Sequence, residues 1–400
     1  MYCTRKITKD ITYIGGSDRR LALFENVYPI PNGVSYNAYF IDDEKTAVVD
    51  TVDKSVSALF FENIAHVLGS RTLDYVIVNH MEPDHAATLE ELVLRYPQVK
   101  IVCNAKSAAM MNQFFSFDAD AHTVLVKEGD TLSLGVHTLG FYMAPMVHWP
   151  EVMVTYDATE KLLFSADAFG TFGALNGNIF ADELPNDAAD FSEARRYYTN
   201  IVGKYGTQTL ALLKKAANLD IEVLCPLHGP VWRKDIAVFI EKYQTWGAYV
   251  PEQKGVLIVY GSVYGGTQNA AEILAAKLSE KGVLTAVYDA SVTHTSYLVS
   301  EAFRYSHLVF AAATYNNDIF TPVEALLTDL KAHALRNRTV GLIQNGSWAP
   351  QSGKKMREIL ESMQNMTVLP ETVTVRSTVK EESLTEIDAL CGALIASLRA

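Results

Sequence analysis

The chain has 400 residues, more than a single hydrophobic core usually spans, so two domains are expected. Its composition, 49% hydrophobic and 20% charged, is that of a soluble globular protein, and no run of about 18 uncharged apolar residues is present to cross a membrane. A formal charge of -12 without any dense Lys/Arg block excludes nucleic-acid binding as the main activity, because phosphate contacts need a clustered basic face. Met1-Tyr2-Cys3-Thr4-Arg5-Lys6 is not followed by the apolar segment of a signal peptide, which predicts a cytoplasmic protein. Cys3, Cys103, Cys225 and Cys391 lie far apart, so they form no CxxC pair for zinc, a rubredoxin-type iron or a dithiol switch.

In chain order, residues 36–41 and 46–49 read as a hairpin across Asp42-Asp43-Glu44-Lys45. A helix over 55–68, the strand Tyr75-Val76-Ile77-Val78, a helix over 86–96, a strand over 100–103 and a helix over 106–115 follow. From 122 to 165 strand succeeds strand, at 122–126, 131–134, 137–143, 152–156 and 161–165. Helices over 187–202 and 208–218 then lead to a strand over 221–225. Strand-rich sheets flanked by helices predict a four-layer αββα sandwich.

The polar segment Val250-Pro251-Glu252-Gln253-Lys254-Gly255, bounded by Pro and Gly, marks a boundary between domains of 1–252 and 253–400. Beyond it, strands at 256–260, 284–289, 307–312, 339–344 and 367–368 alternate with helices at 267–281, 297–305, 323–335, 354–363 and 384–398. That size and rhythm predict a flavodoxin-like, doubly wound parallel sheet.

The densest chemistry is Asn79-His80-Met81-Glu82-Pro83-Asp84-His85, directly after an apolar strand. His80, Glu82 and Asp84 alternate, so an extended loop aims them to one side, and with His85 they suit a pair of metals better than one. Asp84 as N-cap of the helix over 86–96 would account for one of these residues and leave two His and a Glu unexplained. Three more candidate ligands follow apolar strands or turns: His148 in Pro145-Met146-Val147-His148, Asp167 in Phe164-Ser165-Ala166-Asp167, and His228 in Pro226-Leu227-His228-Gly229.

In order and context these residues resemble the HxHxDH…H…D…H pattern of metallo-β-lactamase-like proteins, with Glu82 where that pattern usually has His. The match implies that His80, Glu82 and His148 hold one ion, that Asp84, His85 and His228 hold the other, and that Asp167 bridges them. Carboxylate in place of imidazole hardens the site and favours iron or manganese over zinc. Three carboxylates nearly neutralise a diferrous pair, whereas a diferric pair would demand oxo or hydroxo bridges.

In the second half, Tyr260-Gly261-Ser262-Val263-Tyr264-Gly265-Gly266-Thr267 joins a strand to a helix. Ser and Thr hydroxyls, glycine-permitted N–H groups and a helix N-terminus make a phosphate cradle without Lys or Arg. Two further loops at strand ends, Thr314-Tyr315-Asn316-Asn317 and Asn345-Gly346-Ser347-Trp348, offer amides for the pyrimidine edge of a flavin and aromatics for its ring.

Taken together, the HxExDH cluster and the flavodoxin-like half resemble the flavodiiron proteins, also called A-type flavoproteins, over essentially the whole chain. The resemblance implies FMN, a diiron centre held by the seven residues named above, and Tyr197, with Tyr198 adjacent, as the tyrosine beside the irons. Where many members carry a His before the Gly33-Val34-Ser35-Tyr36-Asn37 stretch, this chain reads Leu23-Phe24-Glu25-Asn26, which places Glu25 at the substrate pocket. It further implies reduction of nitric oxide to nitrous oxide, of dioxygen to water, or both. Electrons would come from rubredoxin, or alternatively from a reduced deazaflavin cofactor, and the assembly would be a head-to-tail homodimer or dimer of dimers. A dizinc hydrolase with an appended binding module, and a flavin electron carrier with a structural metal half, are the competing readings. Glu82 and the flavin-type loops speak against the first of these.

Overall fold

Short runs of β-branched and aromatic residues build two facing sheets in the first half of the chain. The computed structural model describes residues 1–184 and 191–400. It divides into one unit of Met1–Tyr198 with Thr207–Gln244 and another of Thr199–Gly206 with Thr245–Ala400. In the first unit a seven-stranded sheet runs Arg5–Lys6, Ile11–Tyr13, Tyr39–Ile41, Ala47–Val49, Tyr75–Ile77, Lys100–Cys103, Thr123–Leu125, its last four strands parallel. A five-stranded sheet runs Thr131–Ser133, Thr138–Met143, Met153–Asp157, Leu162–Phe164, Val223–Cys225, antiparallel except for its last pair.

Side chains alternate across a strand, and burial follows that alternation. Tyr39, Ile41, Val49, Ile77 and Val102 of one sheet pack against Leu139, Phe141, Met153, Leu162 and Phe164 of the other in a single core. Their neighbours Val48, Val76, Ile101, Val154, Leu163 and Leu224 point the other way and are also buried, so the outer faces are covered too. This is the αββα sandwich.

The second unit holds five parallel strands in the order Thr285–Asp289, Gln253–Gly261, Tyr305–Tyr315, Arg338–Asn345, Met366–Val375. The three central strands feed both faces. Leu257, Val259, Leu308, Phe310 and Leu342 pack on one side, and Val256, Ile258, Val309, Ala311 and Ile343 on the other. A sheet buried on both faces needs near-continuous apolar strands, which these are.

Several elements differ from the expectation. Pro83 starts a short helix Pro83–Ala86 with Glu82 at the N-cap position, so Asp84 lies inside the first turn and is not the cap of the following helix, Leu89–Arg95. The strand expected at 122–126 starts at Thr123, because the Asp118 side chain accepts from the Ala121 N–H and caps one helical turn, Ala119–His122. The last strand is ten residues rather than two: a register shift between Val340 and Leu342 absorbs the interruption at Pro370. Helix Ile236–Gly247, unpredicted, buries Phe239, Tyr243 and Trp246 at spacings of four and three. Of the helix expected over 187–202, the first part lies outside the described residues, and the rest is Ser192–Tyr197 followed by a wider turn, Tyr198–Val202.

Within the second unit, His307 is buried between two hydroxyls, Ser306 Oγ at 2.8 Å from Nδ1 and Ser397 Oγ at 3.1 Å from Nε2. Burial, with a smaller push from Lys254, takes its imidazole down to about 4. An unfolded His titrates near ~6.5, so below that pH the unfolded chain binds a proton that the folded unit refuses. Stability contributed by neutral His307 is therefore complete above about pH 7 and is lost as pH falls from about 6.5 toward 4. Urea unfolding of the second unit at pH 7 and pH 5 should show a smaller loss of midpoint for His307→Gln than for the unaltered protein.

Candidate metal centre and flavin site

The seven predicted metal ligands converge in the first unit, at or just beyond the C-terminal ends of its strands. The loop after Tyr75–Ile77 is held by Asp50, whose buried carboxylate accepts from the Asn79 backbone N–H at 2.7 Å and from its side-chain amide at 2.8 Å. Burial pushes the Asp50 carboxyl up to about 6 against the opposing pull of those hydrogen bonds. Asn79 also reaches the second sheet, accepting from the Thr155 hydroxyl at 2.7 Å and, through its backbone carbonyl, from the Met153 N–H at 3.0 Å. Residues 80–85 are thereby anchored to both sheets.

Two groups form. His80, Glu82, His148 and Asp167 offer ligand atoms that all lie within 4.8 Å of one another, and so do Asp84, His85 and His228. Asp167 faces both. Its Oδ2 is 3.3 Å from His80 Nε2 and 3.1 Å from His148 Nε2, while its Oδ1 is 3.4 Å from His85 Nε2 and 3.7 Å from His228 Nε2. Glu82 Oε2 lies 2.9 Å from His148 Nε2, and Asp84 Oδ2 lies 3.2 Å from His228 Nε2.

The ring orientations show what this cluster can hold. His80 donates its Nδ1–H to Glu151 Oε1 at 2.7 Å, and His228 donates its Nδ1–H to the Ser35 carbonyl at 2.8 Å. A neutral imidazole that donates from Nδ1 presents a lone pair at Nε2. His85 and His228 bring their Nε2 atoms to 3.0 Å, and both oxygens of Asp84 and of Asp167 are buried without a hydrogen-bond donor. Burial would raise the Asp167 carboxyl, but the surrounding imidazoles of His80, His148 and His85 outweigh it and hold the group well below the usual range. Those imidazoles can do so only by carrying a second proton at Nε2, and bound cations would take the place of those protons, leaving each Nε2 lone pair to the metal.

Tyr197 is fully buried, its ring centroid 5.4 Å from that of His228, whereas Tyr198 turns away to Thr209 and Tyr243. The Tyr197 hydroxyl has no hydrogen-bond partner among the described residues, and burial together with the Asp167, Asp84 and Glu82 charges keeps it protonated. Glu25 sits in the tight hairpin between Leu23–Phe24 and Tyr28–Pro29 with positive φ. Although the residue as a whole is exposed, its carboxyl hydrogen-bonds to Glu82, and desolvation there, with the Glu82 charge, raises it to about 8. Two carboxylates can share that bond only through a proton.

In the second unit, a cavity of about 600 Å³ opens between the loops after four strands. Ser262, Val263, Tyr264, Gly266, Thr267, Thr314, Tyr315, Asn316, Asn317, Asn345, Gly346, Ser347 and Trp348 line it. Gly265 does not; it takes φ 88° at the start of helix Gly266–Glu280 and donates its N–H to Ser262 Oγ at 3.0 Å. Asn316 and Asn317 also have positive φ, which Asn tolerates. Ser377 and Thr378, which sequence reasoning missed, complete the lining. Asn345 and Ser377 exchange two hydrogen bonds, at 3.2 and 3.0 Å, and a Cβ on Gly266 would overlap the Ser377 carbonyl oxygen.

Residues 34–229 match the ODP family beta lactamase, and residues 258–391 match flavodoxin. A nitric oxide reductase of Moorella thermoacetica is 31% identical over 361 residues, 89% of each chain. The solved rubredoxin oxygen:oxidoreductase of Desulfovibrio gigas superposes with a TM-score of 0.92 at 30% identity, covering 99% of this chain and all of that one. The chain belongs to the flavodiiron proteins. The solved flavodiiron protein of Giardia intestinalis, 24% identical, shares the fold with a TM-score of 0.91 over 99% of this chain and 98% of that one.

For this flavodiiron protein the donor set fits two metal ions, through the orphaned oxygens of Asp84 and Asp167 and the facing imidazoles. Its glycine-lined cavity fits a flavin phosphate and ring. Glu151, which orients His80, was also missed in the sequence, where it is a lone acid three residues after His148. Glu151→Ala should weaken iron binding about 10–100-fold, read as iron retained against a chelator, with FMN content unchanged. Gly266→Ala should do the converse, lowering FMN occupancy by flavin absorbance while both irons stay.

Proposed function

We propose that this flavodiiron protein reduces nitric oxide to nitrous oxide, dioxygen to water, or both, with FMN feeding electrons to two irons. The observation that carries this reading is the pairing of ligand groups around Asp167, with Glu82 in place of an imidazole, in a chain whose other unit has a flavin-sized cavity. Reduction of one dioxygen to two waters consumes four electrons and four protons. Conversion of two nitric oxides to nitrous oxide and water consumes two of each. When bound, the irons supply open coordination positions and electrons to the gas, and FMN relays electrons to them.

The chain's own residues do the rest. His80, Glu82 and His148 would hold one iron, Asp84, His85 and His228 the other, and Asp167 both. Glu25, its carboxyl raised beside Glu82, and Tyr197, its ring against His228 and its hydroxyl held protonated by burial and by the Asp167, Asp84 and Glu82 charges, would supply protons or hydrogen bonds to a reacting gas. Ser262 to Thr267 would bind the flavin phosphate at the N-terminus of helix Gly266–Glu280. Trp348, Tyr315 and the Asn317 and Asn345 amides would contact the ring.

The electron donor is rubredoxin, with a reduced deazaflavin cofactor as the alternative. The name of the Desulfovibrio protein supports rubredoxin, and the four separated cysteines of these 400 residues form no rubredoxin-type site of their own. Family resemblance supports a head-to-tail homodimer or dimer of dimers in the cytoplasm. No described helix is long and apolar enough to cross a membrane.

Anaerobic turnover with reduced rubredoxin, comparing nitric oxide with dioxygen, tests the reading; protein carrying FMN and two irons that consumes neither gas sinks it. Asp167→Asn should lose both irons and all gas reduction while keeping bound FMN. A flavin carrier with a structural metal half would instead retain its electron transfer in that variant.

A further inference from the structure

We propose that Asp10, His137 and Glu160 form a third divalent-cation site, of zinc type, at the end of the sandwich opposite the iron ligands, where it clamps the two sheets together. The three residues offer ligand atoms that all lie within 4.8 Å of one another. Asp10 directly precedes strand Ile11–Tyr13 of the seven-stranded sheet. His137 precedes Thr138–Met143, and Glu160 lies in the turn between Met153–Asp157 and Leu162–Phe164, both in the five-stranded sheet. The Met153 end of that middle strand meets Asn79, next to the iron ligands, so the Asp157 end stands a strand length away, roughly 13 Å at about 3.3 Å per residue.

His137 carries the inference. It is only 1% exposed. Its Nδ1 lies 2.7 Å from Asp157 Oδ2, and a carboxylate only accepts, so Nδ1 bears the hydrogen. Asp157 is fixed in turn, its other oxygen accepting the Thr159 N–H at 3.0 Å. The backbone on either side is fixed as well: the Val136 and His137 N–H groups donate to Asp43 at 3.1 and 2.7 Å, and the Thr159 hydroxyl donates to the Val136 carbonyl at 2.9 Å. The remaining ring nitrogen, Nε2, is buried with no hydrogen-bond partner among the described residues and lies 3.8 Å from Asp10 Oδ2.

An imidazole backed by a carboxylate, its free nitrogen facing further carboxylates, is how proteins orient histidine for a metal. A second proton on the ring is the other way to satisfy it, and hydrogen bonding to Asp157 does raise its basicity. The Asp157, Asp43 and Asp10 charges favour that proton too, yet Asp10 Oδ2 stands 3.8 Å from Nε2, within ion-pair range but beyond hydrogen-bond reach, so the proton would have no hydrogen-bond acceptor among the described residues. A cation uses the same gap: with zinc–ligand distances of about 2.0–2.2 Å, a separation of 3.8 Å subtends roughly 130° at the ion, leaving Glu160 and a water to complete four-coordination.

Iron- and FMN-loaded protein is equilibrated with Zn2+ at neutral pH, desalted and analysed for zinc and iron, with affinity measured calorimetrically. One zinc per chain should bind without displacing iron. Glu160→Gln, on a partly exposed turn outside the core, should weaken zinc at least tenfold, and Asp157→Asn about 10–100-fold, both keeping iron and FMN. A zinc-soaked crystal should show an anomalous peak between His137 and Asp10. The proposal is overturned if the parent protein takes up no zinc beyond that exchanging for iron, if Glu160→Gln and His137→Gln bind zinc as the parent does, or if the peak lies elsewhere.

Discussion

Asp167 gives one carboxylate oxygen to each of two groups of ligands, and most of the first unit is arranged so that it can. Carboxylates and imidazole lone pairs brought this close, out of water, repel one another and lack donors, so the protein must force them together and a pair of cations must neutralise them. The forcing comes from strands. Asp50 and Asn79 fasten the ligand loop to its own sheet, and Asn79 fastens it to the opposite sheet through Thr155 and Met153. Glu151 and the Ser35 carbonyl then set which nitrogen of His80 and of His228 is free to bind.

The second unit solves a different problem with a different sheet. Its strand order turns back between Gln253–Gly261 and Tyr305–Tyr315, and the loops at that point diverge to leave a cleft. Small residues let backbone N–H groups approach a phosphate, with Gly266 set against Ser377 so closely that no side chain fits. Tyr264 and Trp348, exposed by 99% and 89%, stand at the mouth as aromatic surface available to a planar ring.

Much of this was legible because the ligands are chemically unusual for their places. Two His, a Glu and an Asp within six residues after an apolar strand have no common structural role, and Glu82 in place of His pointed to a hard metal. The parallel sheet was legible because strands buried on both faces must be continuously apolar. Other features were hidden for equally physical reasons. Pro370 disguised the last strand, and with it Ser377 and Thr378 of the flavin cavity, because the bulge that accommodates it depends on the neighbouring strand. Glu151 reads as an ordinary acid in a loop until His80, 71 positions earlier, is folded against it. Asp84 could also be read as a helix cap, and the fold shows that Glu82 takes the cap position of the short helix Pro83–Ala86 instead.

By itself, then, the sequence determined the donor atoms, the order in which the chain delivers them, and the two sheet types, since these follow from side-chain chemistry and from the period of apolar residues. Tertiary structure decided the protonation and direction of each donor. Which nitrogen of His80 is free, that Tyr197 rather than Tyr198 faces the centre, and that the Glu25 carboxyl is raised by burial beside Glu82 depend on partners far away in sequence. So does the ring of His137, left with an unsatisfied nitrogen between two sheets. A hydrogen bond or a buried charge is a property of a pair of groups and of the water excluded around them, and neither exists until the chain has closed.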